Sequence, residues 1–199
     1  VRILGEGSNG GTITYPSAVR DPLNTIFAII KLLLMRENGL FQMWCTKAGI
    51  KYNPDYTLTD ILDTLPEYTT TGVSETRAIL HVKNTNHAEL KANFQKVFEK
   101  EWETKKASLS KDYGITAWEG IITNGTKETK AVTDFSLSGK GGLKVLFKDK
   151  DNKPLAFIWM RGSGTEPVFR IMCDVKGNNP EMEKSLLEWE TSMIQKADA

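Results

Sequence analysis

Arg161 and Arg170 bracket the decapeptide RGSGTEPVFR, and between them stand two glycines, two hydroxyl side chains, a carboxylate and a proline. Apolar runs on both sides, LAFIWM at 155–160 and VFRIMCDV at 168–175, read as strands, so the loop joins two strand ends and can carry a guanidinium on each side. Gly162 and Gly164 allow backbone N–H groups to approach an anion closely. Ser163 and Thr165 add hydroxyl donors. A charge-assisted hydrogen bond to a phosphate contributes roughly 1.5–3 kcal/mol, so a few of them suffice to hold a dianion. Pro167 stiffens the exit of the loop, and Glu166 has to point outward or pair with an arginine. The plainer alternative is an exposed hairpin tip with incidental arginines.

A second constellation stands at the start of the chain. GEGSNGG, residues 5–11, follows a short apolar run and places Glu6 and Ser8 at a strand tip, where open sheets bind ligands. It is not a nucleotide-binding P-loop, because the Gly-Lys-Ser/Thr ending is missing; GKGG at 139–142 fails the same test and reads as a hairpin connection. His81 and His87 read as structural residues.

The elements that must position these groups follow from periodicity. Residues 1–4 read as a strand and 5–20 as a glycine-rich loop. Asp21 and Pro22 open a helix, with Leu23, Ile26, Phe27, Ile30, Leu33 and Leu34 at helical spacing and Asn38-Gly39 as its stop. So apolar a helix needs a sheet to pack on. Thr57 and Asp60 stand at capping-box spacing before a short helix at 58–65. PEYTTTGVS at 66–74 reads as a linker. Beyond it come a strand at 78–82, a helix from Asn86 to about Lys105, strands near 117–123, 143–148, 155–161 and 168–175, and a final helix opened by Asn179-Pro180. Strand, helix, consecutive strands, helix is an α+β plan.

The fold expectation is therefore an α/β remnant of a mixed-sheet domain over residues 1–65, a hinge at 66–77, and an α+β domain at 78–199. This last domain would hold a mainly antiparallel sheet of four to five strands and two packed helices. The chain has 199 residues and a formal net charge of +1, which makes no electrostatic case for nucleic acid or an anionic membrane. Anion binding must come from a local site. Cys45 and Cys173 have no C-x-x-C partner, which favours a reducing, cytoplasmic setting over a disulfide framework or a zinc site. An apolar strand at the very first residues predicts that the chain is a piece of something longer.

RGSGTEP resembles the phosphate-binding loop in the last domain of the phosphohexomutases, the phosphoglucomutase/phosphomannomutase family, with Arg161, Ser163, Gly164, Thr165, Glu166 and Pro167 matching in order. Gly5, Glu6 and Ser8 are similar to the sugar-recognition loop of that family's third domain, and Arg20-Asp21 to the helix start that follows it. Asn9-Gly10-Gly11 departs from the family's Gly-His at this place, which leaves the sugar preference open. The resemblance implies the C-terminal half of an intramolecular phosphotransferase of the isomerase class, acting in carbohydrate metabolism. The full enzyme would interconvert hexose 1-phosphate and hexose 6-phosphate, of glucose or mannose, through hexose 1,6-bisphosphate.

On that resemblance Arg161, Ser163, Gly164, Thr165 and Arg170 bind the non-reacting phosphate, and Glu6, Ser8 and Arg20 bind the sugar. The phosphoserine motif and the aspartates that hold Mg²⁺ would belong to N-terminal domains, and no Ser-His-Asn-Pro or Asp-x-Asp-x-Asp occurs here. A phosphorylated hexose is the implied partner. A non-catalytic phosphosugar-binding module and an amino-sugar phosphate mutase are the alternatives.

Overall fold

The computed structural model describes residues 3–6, 11–72, 74–125, 127–163 and 168–199, with the backbone alone described for 3–6 and 11. It shows a mixed α+β chain in two compact units, Val1–Pro66 and Glu67–Ala199.

In the first unit, strands β1 (Ile3–Glu6) and β2 (Gly11–Thr14) form an antiparallel hairpin, where a mixed sheet and an unbroken loop at 5–20 were expected. Helix α1 (Pro22–Leu34) starts as its sequence requires: Asp21 Oδ1 accepts from Asn24 N at 3.0 Å, with proline in the first turn. It stops at Leu34, short of Asn38-Gly39, because the Tyr56 hydroxyl donates to the carbonyls of Leu32 (2.5 Å) and Met35 (3.3 Å) at its end. Asn38-Gly39 instead opens an unexpected helix, α2 (Leu40–Ala48), with Asn38 at φ 52°. Helix α3 (Leu58–Asp63) carries both bonds of the capping box between Thr57 and Asp60. Phe41, Cys45, Tyr56 and Ile61 make this unit's core. Helix α1 contributes no buried residue to the unit; Leu23, Ile26, Phe27, Ile30 and Leu34 remain exposed.

The second unit is an antiparallel sheet covered on one face by two helices. Its strands are β3 (Tyr68–Thr70), β4 (Ile79–Leu80), β5 (Ala117–Asn124), β6 (Lys127–Thr129), β7 (Gly142–Lys148), β8 (Pro154–Gly162) and β9 (Phe169–Lys176). The order is β3-β9-β8-β7-β5-β6, with β4 also on β9. This is a seven-stranded sheet, against the four to five expected. The additions are short and polar: β6 reads Lys-Glu-Thr and is wholly exposed, so no alternation announces it.

Residues 67–77, read from the sequence as linker, are built into this unit. Tyr68–Thr70 pairs with Asp174–Lys176, and buried Thr71 exchanges bonds with the Cys173 backbone, Thr71 N to Cys173 O at 2.9 Å and Cys173 N to Thr71 Oγ1 at 3.0 Å. Thr71 also donates to Glu183, which pairs with Arg77 at 2.7 Å.

Phe169, Ile171, Cys173 and Val175 all face the core, as their alternation requires. Helix α4 (His87–Tyr113) is longer than its apolar pattern and ends where Gly114 adopts φ 71°. It lays Leu90, Phe94, Phe98 and Trp102 on the sheet beside Phe147 and Trp189. Each such buried aromatic contributes about 1.5–3 kcal/mol. Helix α5 (Pro180–Ala197), capped by Asn179, buries Met182, Leu186, Trp189 and Met193 in the register expected. Among the described residues no helix is long and apolar enough to cross a membrane.

One core residue is costly. Glu190 on α5 is fully buried, and neither carboxylate oxygen has a hydrogen-bond partner among the described residues. Burial pushes its carboxyl well above the usual range. A carboxyl raised in the folded state favours folding fully only below its unfolded value; that contribution is lost as pH rises. Glu190→Met is expected to stabilise the protein by about 1–4 kcal/mol at pH 7.5 and by clearly less at pH 4.5, measured by urea unfolding. A gain of the same size at both pH values, or a loss at pH 7.5, would contradict this account of Glu190.

Candidate functional site

The register of β8 on β9 sets Arg161 directly opposite Arg170 and Gly162 opposite Phe169. Facing residues of an antiparallel pair project to the same side, so both guanidinium-bearing side chains leave the same face of the sheet at the base of the 163–168 loop. Ser163 N donates to Val168 O at 2.9 Å and closes that base. Of the residues expected to bind phosphate, the structure thus brings together Arg161, Ser163 and Arg170. Gly164 and Thr165, with Glu166 and Pro167, lie outside the described residues. Ser8 lies outside them too. The side chain of Glu6, the last residue of β1, is likewise not described. Arg20 is exposed and immediately precedes the cap of α1.

A cavity of about 870 Å³ opens beside Arg161 and Ser163. Among the described residues it is walled by the 82–87 stretch leading into α4, the end of β5 and its following turn, the 137–142 turn, the end of β8 with Ser163, and Val168. Its cationic and polar lining includes Arg161, Lys140, His87, Asn84, Asn124 and Ser163, and among the described residues no carboxylate lines it. The stretch before α4 is pinned by the Asp198 carboxylate, which accepts from Lys83 N at 2.7 Å and Asn84 N at 2.8 Å. Asn86 caps the helix by accepting from Glu89 N. The opposite wall is fixed by Trp159 Nε1 donating to Thr123 Oγ1 at 2.9 Å. Arg161 lies over the Trp159 ring, 5.9 Å from its centroid.

His87 was read from the sequence as structural, and it is also a wall of this cavity. Its ring meets Phe169 edge-on at 5.4 Å and fills the space above Gly162, where an added β-carbon would fall inside the imidazole. Burial, then the charges of Lys91 and Lys140, lower its pKa, so it stays neutral at physiological pH. The 139–142 turn, read as a plain hairpin connection, lines the cavity as well and carries Lys140. Lys91 beneath that turn was missed altogether. Its signal was available: Lys91 stands at helical spacing with Phe94 and Phe98, on the buried stripe of α4, where a lysine is out of place.

The arrangement suits an anionic ligand with polar substituents. A cavity of this size exceeds what a lone phosphate fills and falls within the range of small-molecule sites. No protein-family model matches the chain, and no curated protein matches it.

Gly162→Ala forces the His87 ring to move, so it is expected to destabilise the protein by about 1–3 kcal/mol in thermal unfolding. His87→Ala in the same chain should recover part of that loss. A Gly162→Ala protein as stable as the parent would show that the ring is not held where described.

Proposed function

We propose that this chain is the C-terminal half of a cytoplasmic phosphohexomutase, the end of a sugar-recognition domain followed by a phosphate-binding domain. In that reading the cavity holds the non-reacting phosphate of a hexose phosphate and of the 1,6-bisphosphate intermediate. The observation that carries it is the convergence at the end of β8. The loop whose residues resemble the family's phosphate cradle starts between two facing arginines, and it borders a cavity with cations and no described carboxylate on its walls. A structureless hairpin tip needs neither feature.

The chemistry divides accordingly. Phosphoryl transfer depends on positioning and charge neutralisation. Arg161, Arg170 and Ser163, with Gly164 and Thr165, fix one end of the sugar. Lys140 adds positive potential along the cavity. Glu6, Ser8 and Arg20 take the hydroxyl side. The nucleophile stands elsewhere in the polypeptide. In this reading the Mg²⁺ ligands stand with the nucleophile, elsewhere in the polypeptide; among the described residues no group of three or more His, Cys, Asp or Glu side chains is placed to hold a metal.

Isothermal titration of this chain with glucose 1,6-bisphosphate is expected to give measurable binding at pH 7.5, weakened about tenfold or more by Arg161→Ala. Equal heats for the two proteins would remove the site. The chain by itself should show no conversion of glucose 1-phosphate to glucose 6-phosphate in a coupled assay, and measurable turnover would refute the division of labour.

A further inference from the structure

Lys91 is fully buried, yet it has no carboxylate at ion-pair distance among the described residues. Its ammonium donates to two backbone carbonyls of the turn that walls the cavity, Gly139 O at 2.9 Å and Gly141 O at 2.6 Å. Taking an ammonium out of water costs several kcal/mol, and two neutral carbonyls return only part of that. A methionine would fill the same stripe of α4 at no such cost. The charge is also surrounded by its own sign. Arg161, near the end of β8, and Lys140, on the turn itself, are cations, and His87, one turn earlier on α4, adds no carboxylate. The 3-10 turn Phe135–Ser138, packed on α4, brings no titratable group. An uncompensated cation held against the wall of a cation-lined cavity is a site prepared for a ligand's negative charge.

We propose that Lys91 is a positioning residue of this anion site: its ammonium anchors the 139–141 turn and supplies a buried positive charge that a doubly negative phosphate ester compensates, so that ester binding and Lys91 protonation favour each other. This rests on the anion-binding reading of the cavity and adds a regulation to it. Lys91 does not touch the ligand; it acts through the turn and through its field.

The coupling has a definite sign. Burial first, and Arg161 second, lower the Lys91 ammonium to about 8. Near pH 7 the ester is a dianion and Lys91 is mostly charged, so affinity is highest there. Above pH 8 the ligand-free protein loses the Lys91 proton, binding must restore it, and affinity falls by up to tenfold per pH unit. Burial, with Lys91 and Lys140, lowers the His87 pKa away from this pH window, and guanidinium groups keep their charge throughout it.

Titration with glucose 1,6-bisphosphate at pH 7.5 and 9.5 tests this. The parent chain is expected to bind about fivefold more weakly at pH 9.5, a loss of the size that a one-unit rise of the Lys91 pKa on binding produces. It should take up a fraction of a proton at pH 8.5, read from heats in buffers of different ionisation enthalpy. Lys91→Met should bind more weakly at pH 7.5 and show no loss between the two pH values. Lys140→Gln should lower affinity at both pH values and keep the loss. The measurements on the parent chain need no variant to fold. Binding at pH 7.5 that stays unchanged to pH 9.5, with no proton uptake, overturns the role of Lys91 and leaves the anion site standing. Absence of binding at pH 7.5 overturns both.

Discussion

Everything at the functional end of the second unit hangs on the pairing register of β8 and β9. With Arg161 opposite Arg170, the even-numbered residues Ala156, Ile158 and Met160 of β8 and the odd-numbered Phe169, Ile171, Cys173 and Val175 of β9 all face the helices. A slip of one residue would turn an apolar set of this size toward the open face and drive the arginines into the core. Burial of those side chains therefore specifies where the two guanidinium groups emerge. The site inherits its geometry from the core and does not need to organise itself.

Charge placement in this unit is uneven. Glu183 is buried but satisfied, by Arg77 and by Thr71. Glu190 is buried without such partners, and burial favours its neutral form. Lys91 is buried and cationic, with carbonyls in place of a carboxylate. These are three different solutions to the cost of desolvating a charge: pair it, neutralise it, or bond it to backbone carbonyls. Only the third adjoins the cavity, beside the loop that sequence alone singles out.

Much of this is legible in the sequence. Helix caps at Asp21, Asn86 and Asn179, the capping box at Thr57, and the β9 alternation are local signals, and each appears where its residues place it. The elements that escaped lack such signals. β3 and β6 are short polar strands recruited by neighbours already in the sheet. The stop expected at Asn38-Gly39 became a helix start because Tyr56, far along the chain, ends α1 early. The site divides the same way. Arg161, Ser163 and Arg170 fall within one ten-residue stretch, so sequence alone groups them. His87, Lys91 and Lys140 come from a helix and a turn that only tertiary packing brings to the cavity, so spacing could not assemble them.

The end of β8 and the 139–142 turn line one cavity, and the proposed function makes it an anion site. Amide chemical-shift mapping by ¹H–¹⁵N NMR, with inorganic phosphate as the titrant at pH 7.5, addresses it residue by residue. Saturable shifts clustered at His87, Gly141, Gly142, Gly162 and Ser163 are expected, because these groups line one space. Shifts that do not saturate, or that gather away from these residues, would contradict the account.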